Sequence, residues 1–228
     1  MREHSLSAWA VIMCIGLVLS GVASAQSAKQ PEVGQMRSVE GQVLTSTHLP
    51  PLRIKFDEAF KHVGSQQFIL YDRAQAEQHY FVDADNQQRI KRMYIVQFEG
   101  YLPDIKASYD YPASKTVDLA GQSYLVEAQV VPNVLAVLKQ NPQSDAARAV
   151  SFLEGKGYRA GEAVLYQRFV RLVDEAKRHE FILLYIEDLS GTGFTAADFA
   201  EGGPAFSQKE KVLQELSSRA LKGFTVLK

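Results

Sequence analysis

The sequence predicts an α+β protein in which an antiparallel, curved sheet, built from two hairpin or meander blocks, packs against two or three helices. Three observations carry this prediction. The strand-like segments form two groups separated by helix-like segments, which favours α+β over alternating β-α-β units. The run from Phe181 to Ile186 is apolar on both faces, which is typical of a central strand covered on both sides. Ser207 to Glu210 form a capping-box sequence before an apolar stripe, which predicts a closing helix.

The first block of strands follows a short predicted helix. Phe56, Phe60 and Val63 recur at helical spacing, and Gly64 follows as a stop signal. Strands rich in aromatic and branched residues are predicted after it at 67–71, 79–82, 89–98, 107–111 and 123–131. Apolar and polar side chains alternate in the third of these, which indicates an antiparallel strand with one face towards water.

Two helices separate the blocks. Asn133 is a suitable N-cap for the first helix, and either Ser144 or Asp145 for the second. The second block is the predicted hairpin of residues 164–173 and 180–186.

The N-terminus has the three-part pattern of a cleavable secretory signal peptide, residues 1–25. Arg2 and His4 precede an apolar run, and Ala23-Ser24-Ala25 supplies a small-residue cleavage site. The apolar run is about a dozen residues long, whereas a spanning helix needs roughly 20. We therefore expect an exported protein, either periplasmic or secreted.

Residues 26–51 are mainly polar, with few large apolar groups, and we expect them to form a flexible N-terminal arm. Residues 52–228 are long enough to bury one core and are expected to form a single α+β domain. A lipoprotein anchor at Cys14 is the alternative reading of the leader. The residue before Cys14 is not small, as a lipidated cysteine requires, which argues against it.

Composition excludes several classes of function. Cys14 is the only cysteine, so cleavage would leave no disulfide, thiolate or cysteine-zinc chemistry. The net charge of −1 offers no basic excess for nucleic acid. No second long apolar stretch follows the leader, so we expect no membrane span after cleavage.

Two motifs resemble cofactor or metal sites but lack the required context. Residues 191–196 fit a G-x-G-x-x-A pattern, yet the preceding strand belongs to a hairpin, so a glycine-rich turn and a helix capped by Thr195 with Asp198 are predicted. His179-Glu180 begins like a zinc-protease motif, but Leu183 stands where the second histidine is needed. The sequence therefore predicts no cofactor and no metal site.

Polar-tipped residues embedded in the strands are the candidates for ligand binding. They are Tyr80, Arg92, Tyr94, Glu99, Tyr166, Arg168 and Glu187. On one side of a sheet, they would add oriented polar groups to an apolar pocket, as small-molecule sites require. The alternative is that the tyrosines lie at the sheet margin and the arginines form cross-strand pairs.

Three functions follow from these observations. The first is a non-catalytic protein that binds a small amphipathic molecule in a cavity between sheet and helices. The second is an envelope structural or protein-interaction module without a small ligand. The third is a hydrolase using carboxylates such as Glu99, Glu187 and Asp188. We prefer the first function, the non-catalytic binding protein, because the sequence contains no catalytic signature. This function predicts no catalytic residue.

Overall fold

A computed structural model of the chain describes residues 36–111 and 115–227. Within these residues the chain forms eleven strands and three α-helices, arranged in two antiparallel sheets. The predicted α+β class is therefore confirmed, whereas curvature is not, because neither sheet is strongly curled. The predicted signal peptide, residues 1–25, lies outside the described residues.

A four-stranded sheet contains the first three strands and the last. Its order is β1 (Arg37–Glu40), β2 (Val43–Ser46), β3 (Leu52–Phe56) and β11 (Phe224–Leu227). This differs from the expected arm of residues 26–51, because β1 and β2 lie within it; residues 26–35 are outside the described part. Leu44 is fully buried in the core, so these short strands gain stability from tertiary packing that local composition does not reveal.

The helix predicted over residues 56–63 is wrong. Phe56 ends β3, Phe60 lies in a turn and Val63 belongs to β4 (Lys61–Leu70). The Phe60 amide donates to the Asp57 carbonyl oxygen at 3.0 Å, and the Ala59 amide donates to Asp57 Oδ1, also at 3.0 Å. This turn returns Phe60 to the core that Phe56 occupies, so a strand and a turn reproduce helical spacing.

The larger sheet has seven strands. Its order is β4, β5 (Ala74–Ala84), β6 (Ile90–Tyr101), β10 (His179–Asp188), β9 (Val164–Leu172), β8 (Gln122–Val131) and β7 (Thr116–Leu119). The central strand β10 contains the apolar run from Phe181 to Ile186, as predicted. The strand predicted over residues 107–111 does not form.

The helices begin largely where the sequence predicts. The α-helices are α1 (Val134–Gln140), α2 (Asp145–Gly155) and α3 (Lys209–Lys222). Asn133 caps α1 and Ser144, rather than Asp145, caps α2, each accepting a bond from a first-turn amide. The predicted capping box of α3 is wrong, since its N-cap is Gln208 and makes no side-chain cap bond. No helix in the described part of the chain is long and apolar enough to cross a membrane.

The predicted capping pair of Thr195 and Asp198 is present. It begins a short 3-10 helix, Ala196–Phe199, one of three between β10 and α3. Gly193 precedes it with a left-handed φ of 79°, which glycine adopts without strain. The glycine-rich residues 191–196 are thus a turn, as predicted.

The seven-stranded sheet has two different faces. The core face packs against the four-stranded sheet and α3 through a mainly aromatic and aliphatic cluster. The α2 face is covered by α2, where Phe152 stacks on Tyr80 with ring centroids 4.6 Å apart. Successive side chains of a strand point to opposite faces, so sequence position decides which environment each residue meets.

Candidate functional site

The structure separates the seven predicted ligand-binding residues into two groups. Tyr80, Glu99, Tyr166 and Arg168 lie on the α2 face, and Arg92, Tyr94 and Glu187 on the core face. In β6, residues 92 and 94 are an odd number of positions from residue 99, so their side chains point the opposite way. The seven residues therefore do not form one site.

The three on the core face bond to neighbouring elements of the fold. The Tyr94 hydroxyl donates to the Ala220 carbonyl oxygen of α3 at 2.6 Å. Arg92 Nε donates to Asp83 at 2.8 Å, and Arg219 binds both oxygens of Glu187, with the shortest bonds at 2.8 Å. These contacts join the sheet to α3 and β6 to β5, so we locate the candidate site on the other face.

Two buried glutamates on the α2 face form the centre of the site. Glu99 of β6 and Glu180 of β10 are direct cross-strand partners and are only 9% and 3% exposed. The Tyr109 hydroxyl donates to Glu99 at 2.8 Å, and the Tyr111 hydroxyl donates to Glu180 at 2.5 Å. We call these four residues the carboxyl–tyrosine cluster.

The two tyrosines belong to the irregular segment after β6. Arg178 holds this segment by donating to the carbonyl oxygens of Leu102, at 2.8 Å, and Ile105, at 2.5 Å. The Tyr109 amide also donates to the Lys177 carbonyl oxygen at 2.7 Å. The loop is thus fixed across the ends of β6 and β10, which explains how residues outside any strand reach the two glutamates.

A chain of hydrogen bonds crosses three strands and ends on Glu99. Gln66 Nε2 donates to the Tyr80 hydroxyl at 2.5 Å, and that hydroxyl donates to Gln78 Oε1. Gln78 Nε2 donates to Gln97 Oε1 at 2.6 Å, and Gln97 Nε2 donates to Glu99 Oε2 at 2.7 Å. Every donor points towards Glu99, so the predicted residue Tyr80 is connected to the cluster through two buried glutamines.

A third acid approaches from the start of α2. Asp145 is partly buried, and its carbonyl oxygen accepts a bond from Gln78 Nε2 at 3.4 Å. Its carboxylate accepts a bond from the Ala146 amide at 2.8 Å. Burial raises the pKa of Asp145.

Burial dominates the electrostatics of the cluster. It raises the pKa of Glu99 to about 7, with the Asp145 carboxylate as the next cause. It also raises the pKa of Glu180 to about 8, helped by the negative charge of Glu99. The hydrogen bonds from Tyr109, Gln97 and Tyr111 act in the opposite direction but are smaller effects. The pKa values of the two carboxyl groups therefore lie near neutral pH.

The cation nearest the cluster is already engaged elsewhere. Arg168 Nη2 donates to Glu127 at 2.7 Å, and the guanidinium lies 5.7 Å from the centre of the Tyr111 ring. Its charge lowers the pKa of Glu180, although less than burial raises it. Arg168 Nε is buried and has no hydrogen-bond partner among the described residues. Tyr166 lies two residues before Arg168 in β9, so its side chain is on the same face of the sheet. It is also buried, and burial raises its pKa.

The arrangement suits proton exchange or recognition of a polar group more than metal binding. No three side chains of His, Cys, Asp or Glu within residues 36–111 and 115–227 converge to hold a metal ion. Two raised carboxyl pKa values at one site are the pattern that acid–base chemistry and ligand-coupled proton release both use.

Sequence reasoning missed most of the cluster. In the sequence, Glu180 belongs to a rejected zinc motif and begins the predicted strand of residues 180–186, while Tyr109 and Tyr111 fall in the predicted strand of residues 107–111. The available signal was an acid directly before the doubly covered run from Phe181, where an ionised side chain is costly.

Comparisons of this chain with protein-family models, curated proteins and solved structures find no match. The geometry of the carboxyl–tyrosine cluster is therefore the basis for assigning a function.

Proposed function

We propose that this protein is a non-catalytic binding protein for a small amphipathic molecule, and that the carboxyl–tyrosine cluster receives the polar end of that molecule. One observation carries the proposal. Glu99 and Glu180 are buried side by side, and neither forms an ion pair with a described residue. Buried acids are normally paired or metal-bound, so two unpaired ones indicate a binding function.

The charge of the site favours a cationic head group, such as an amine. A cation beside Glu99 and Glu180 would lower both pKa values, so binding would release protons and restore two ionised acids with a partner. An anion would instead face three acids, counting Asp145. Arg168, the cation among the described residues whose charge acts on Glu180, already binds Glu127.

The surroundings favour an apolar or aromatic body on the ligand. Tyr101 stacks on Tyr109 with ring centroids 4.5 Å apart, and Ile182 and Leu184 of β10 are buried on the same face of the sheet as Glu180. Aromatic rings attract cations and also cover apolar surface. This combination of oriented polar groups and apolar neighbours is typical of small-molecule sites.

Three probes with one aromatic body test the proposal: 2-phenylethylamine, 3-phenylpropionate and 2-phenylethanol. Calorimetric titration of the full chain at pH 7.5 should give binding for the amine, with proton release that depends on buffer ionisation heat. The E99Q/E180Q double variant should lose this binding at least tenfold. E187Q is the matched control, because Glu187 is an equally buried glutamate on the core face.

Preference for 3-phenylpropionate would make the assigned head-group charge wrong. Equal amine affinity in the wild type and E99Q/E180Q would remove the cluster from the proposal. No heat and no thermal stabilisation with any probe would overturn the small-molecule function, leaving the envelope interaction module as the remaining non-catalytic hypothesis.

A carboxylate-dependent hydrolase is the second candidate, and the raised pKa values of Glu99 and Glu180 favour it. One glutamate protonated and one ionised near pH 7 are the acid and base that hydrolysis needs. The sequence named Glu187 among the candidate carboxylates, but it lies on the core face with Arg219, so Glu180 takes this role beside Glu99. A panel of chromogenic glycosides tests the candidate: activity must appear in the wild type and disappear in a folded E180Q variant.

Export is a separate part of the proposal. The signal-peptide pattern of residues 1–25 supports a periplasmic or secreted location. N-terminal sequencing of the protein from the exported fraction should begin at Gln26. Recovery of the intact Met1 form from the cytoplasm would contradict it.

A further inference from the structure

A pair of histidines lies on the core face, away from the carboxyl–tyrosine cluster. His62 of β4 and His79 of β5 have ring centroids 6.0 Å apart with planes tilted by 31°. The His62 ring also contacts Phe81 of the core, at 5.1 Å between centroids. The two residues are 17 positions apart in the chain, and the antiparallel pairing of β4 with β5 brings them together.

Each ring has one nitrogen engaged and one without a partner. His79 Nε2 bonds to Glu77 Oε1 at 2.7 Å, and the carbonyl of Gly64 faces the His62 ring. His79 Nδ1 and His62 Nε2 are both buried and find no hydrogen-bond partner among the described residues. His79 as a whole is only 4% exposed, so its free nitrogen is an orphaned polar atom inside the protein.

We propose that His62 and His79 together bind one divalent transition-metal ion of the Cu²⁺, Ni²⁺ or Zn²⁺ class. Neutral imidazole nitrogens are the preferred protein ligands of these ions. A ligating histidine usually bonds through its second nitrogen to a carboxylate or a carbonyl, which are the partners of His79 and His62. With metal–nitrogen bonds of about 2.0–2.1 Å, a ligating ring has its centre roughly 3.2 Å from the ion, so the centres of two ligating rings are at most about 6.4 Å apart. The observed 6.0 Å lies within this limit.

The local charges are compatible with such an ion. Burial is the main cause that lowers the pKa of His62, and a lowered pKa favours the neutral ring that a metal ion needs. Glu77 also accepts bonds from Arg37, at 2.9 Å, and Gln67, at 3.2 Å, so its carboxylate is held in place to orient His79. The described residues offer no third ligand of the usual types, so water would complete the coordination.

Access is from the edge of the sheet. β4 is the edge strand, and His62 is only partly buried, so an ion can reach the pair without opening the core. The sequence predicted no metal site because no two histidines stand at ligand spacing along the chain. The site instead depends on cross-strand pairing, and it is independent of the function proposed above.

Cu²⁺ titration of the full chain, followed by electron paramagnetic resonance, tests the proposal. The wild type should bind one ion at this site with hyperfine coupling from two imidazole nitrogens. Zn²⁺ and Ni²⁺ should raise the unfolding temperature, whereas Mg²⁺ should not. H62Q and H79Q should each weaken Cu²⁺ binding at least tenfold, and H48Q, at an exposed histidine, is the matched control.

The E77Q variant distinguishes the two proposed metal ligands, His62 and His79, from the carboxylate that orients His79. Loss of a carboxylate behind a ligating histidine weakens metal binding by on the order of 10–100-fold while the two-nitrogen signal remains. Wild-type affinity in both H62Q and H79Q, or coupling from fewer than two imidazoles in the wild type, would overturn the proposal. If H79Q does not fold, H62Q alone decides, because His62 is at the edge and not fully buried.

Discussion

The two faces of the seven-stranded sheet treat buried glutamates in opposite ways. On the core face, Glu187 is bound by both arms of the Arg219 guanidinium. On the α2 face, Glu99 and Glu180 lie side by side, and the donors they find within residues 36–111 and 115–227 are all neutral: Tyr109, Gln97 and Tyr111. One face neutralises its acid with a cation, and the other raises the pKa of its acids.

This contrast separates a structural acid from a candidate functional one. Removing Arg219 would leave the buried Glu187 carboxylate without its cation, so the pair supports the fold. The raised carboxyl pKa values on the other face cost stability whenever the acids ionise, and such costs are typical of functional sites. Stability measurements on matched variants of the two faces can therefore test the distinction.

The largest expected effect compares neighbouring leucines of β10. Leu183 is 1% exposed in the core-face cluster, and Leu184 is 7% exposed on the α2 face. L183A should lower the free energy of unfolding by about 3 to 4 kcal/mol, and L184A by about 2 kcal/mol, because Leu184 is the more exposed of the two and its truncation removes less buried apolar surface. Urea unfolding measures both. Equal losses would mean that the two faces are packed alike.

Arg219 tests the structural role of Glu187. R219Q should lower the free energy of unfolding by about 2 kcal/mol at pH 7, less than for a fully buried pair because the Arg219 side chain is 39% exposed. The double variant E187Q/R219Q should recover part of that loss, since no unpaired charge remains. A loss below about 0.5 kcal/mol for R219Q would show that the pair is not structural.

The glutamates of the cluster predict a stability that falls as pH rises. Their pKa values, near 7 and 8, exceed the usual 4.5, so between those values the folded state binds more protons than the unfolded state. The free energy of unfolding should therefore fall from about pH 5 onwards, until the pH passes both folded-state pKa values. The part of this fall that remains between pH 7 and 9 should be on the order of 2 kcal/mol. The lowered pKa of His62 makes stability rise with pH, but only below about pH 6.5, the usual pKa of a histidine.

The matched variant isolates this effect. E99Q/E180Q should have an almost flat stability between pH 7 and 9, as measured by urea unfolding at each pH. A wild type whose stability rises across this range, or a variant with the same slope as the wild type, would contradict the raised pKa values.

The smallest expected effect is that of a single hydroxyl. Y111F removes the donor to Glu180 and should cost about 1 kcal/mol. The cost should be larger at pH 9 than at pH 6, because that hydrogen bond favours the ionised carboxyl and lowers its pKa. Thermal unfolding at the two pH values measures the difference, and a cost independent of pH would place the hydroxyl outside the titrating cluster.

The sequence predicted elements whose signals are local. Asn133 and Ser144 cap helices through residues one turn away, and the run from Phe181 to Ile186 is apolar on both faces, so these were predicted correctly. β1 and β2 were missed because their stability comes from partners in β3 and the core. The spacing of Phe56 and Phe60 predicted a helix because a turn can reproduce that spacing.

The candidate site was predicted only in part because its geometry depends on register. Glu99 was identified as an acid near a strand end, but nothing in the sequence pairs it with Glu180, 81 positions later in the chain. Arg92 and Tyr94 were grouped with Glu99 although strand alternation puts them on the opposite face. Tyr109 and Tyr111 come from an irregular loop held by Arg178, an arrangement with no sequence pattern.

A carboxyl-carbon NMR titration of the glutamate side chains tests the central claim most directly. The E99Q and E180Q variants assign the signals. We expect two glutamates to titrate well above the others, near pH 7 to 8. The pKa values of both should decrease when a cationic probe binds. Glutamates that all titrate below about pH 5 would contradict it, because Glu99 and Glu180 would then be ordinary ionised acids.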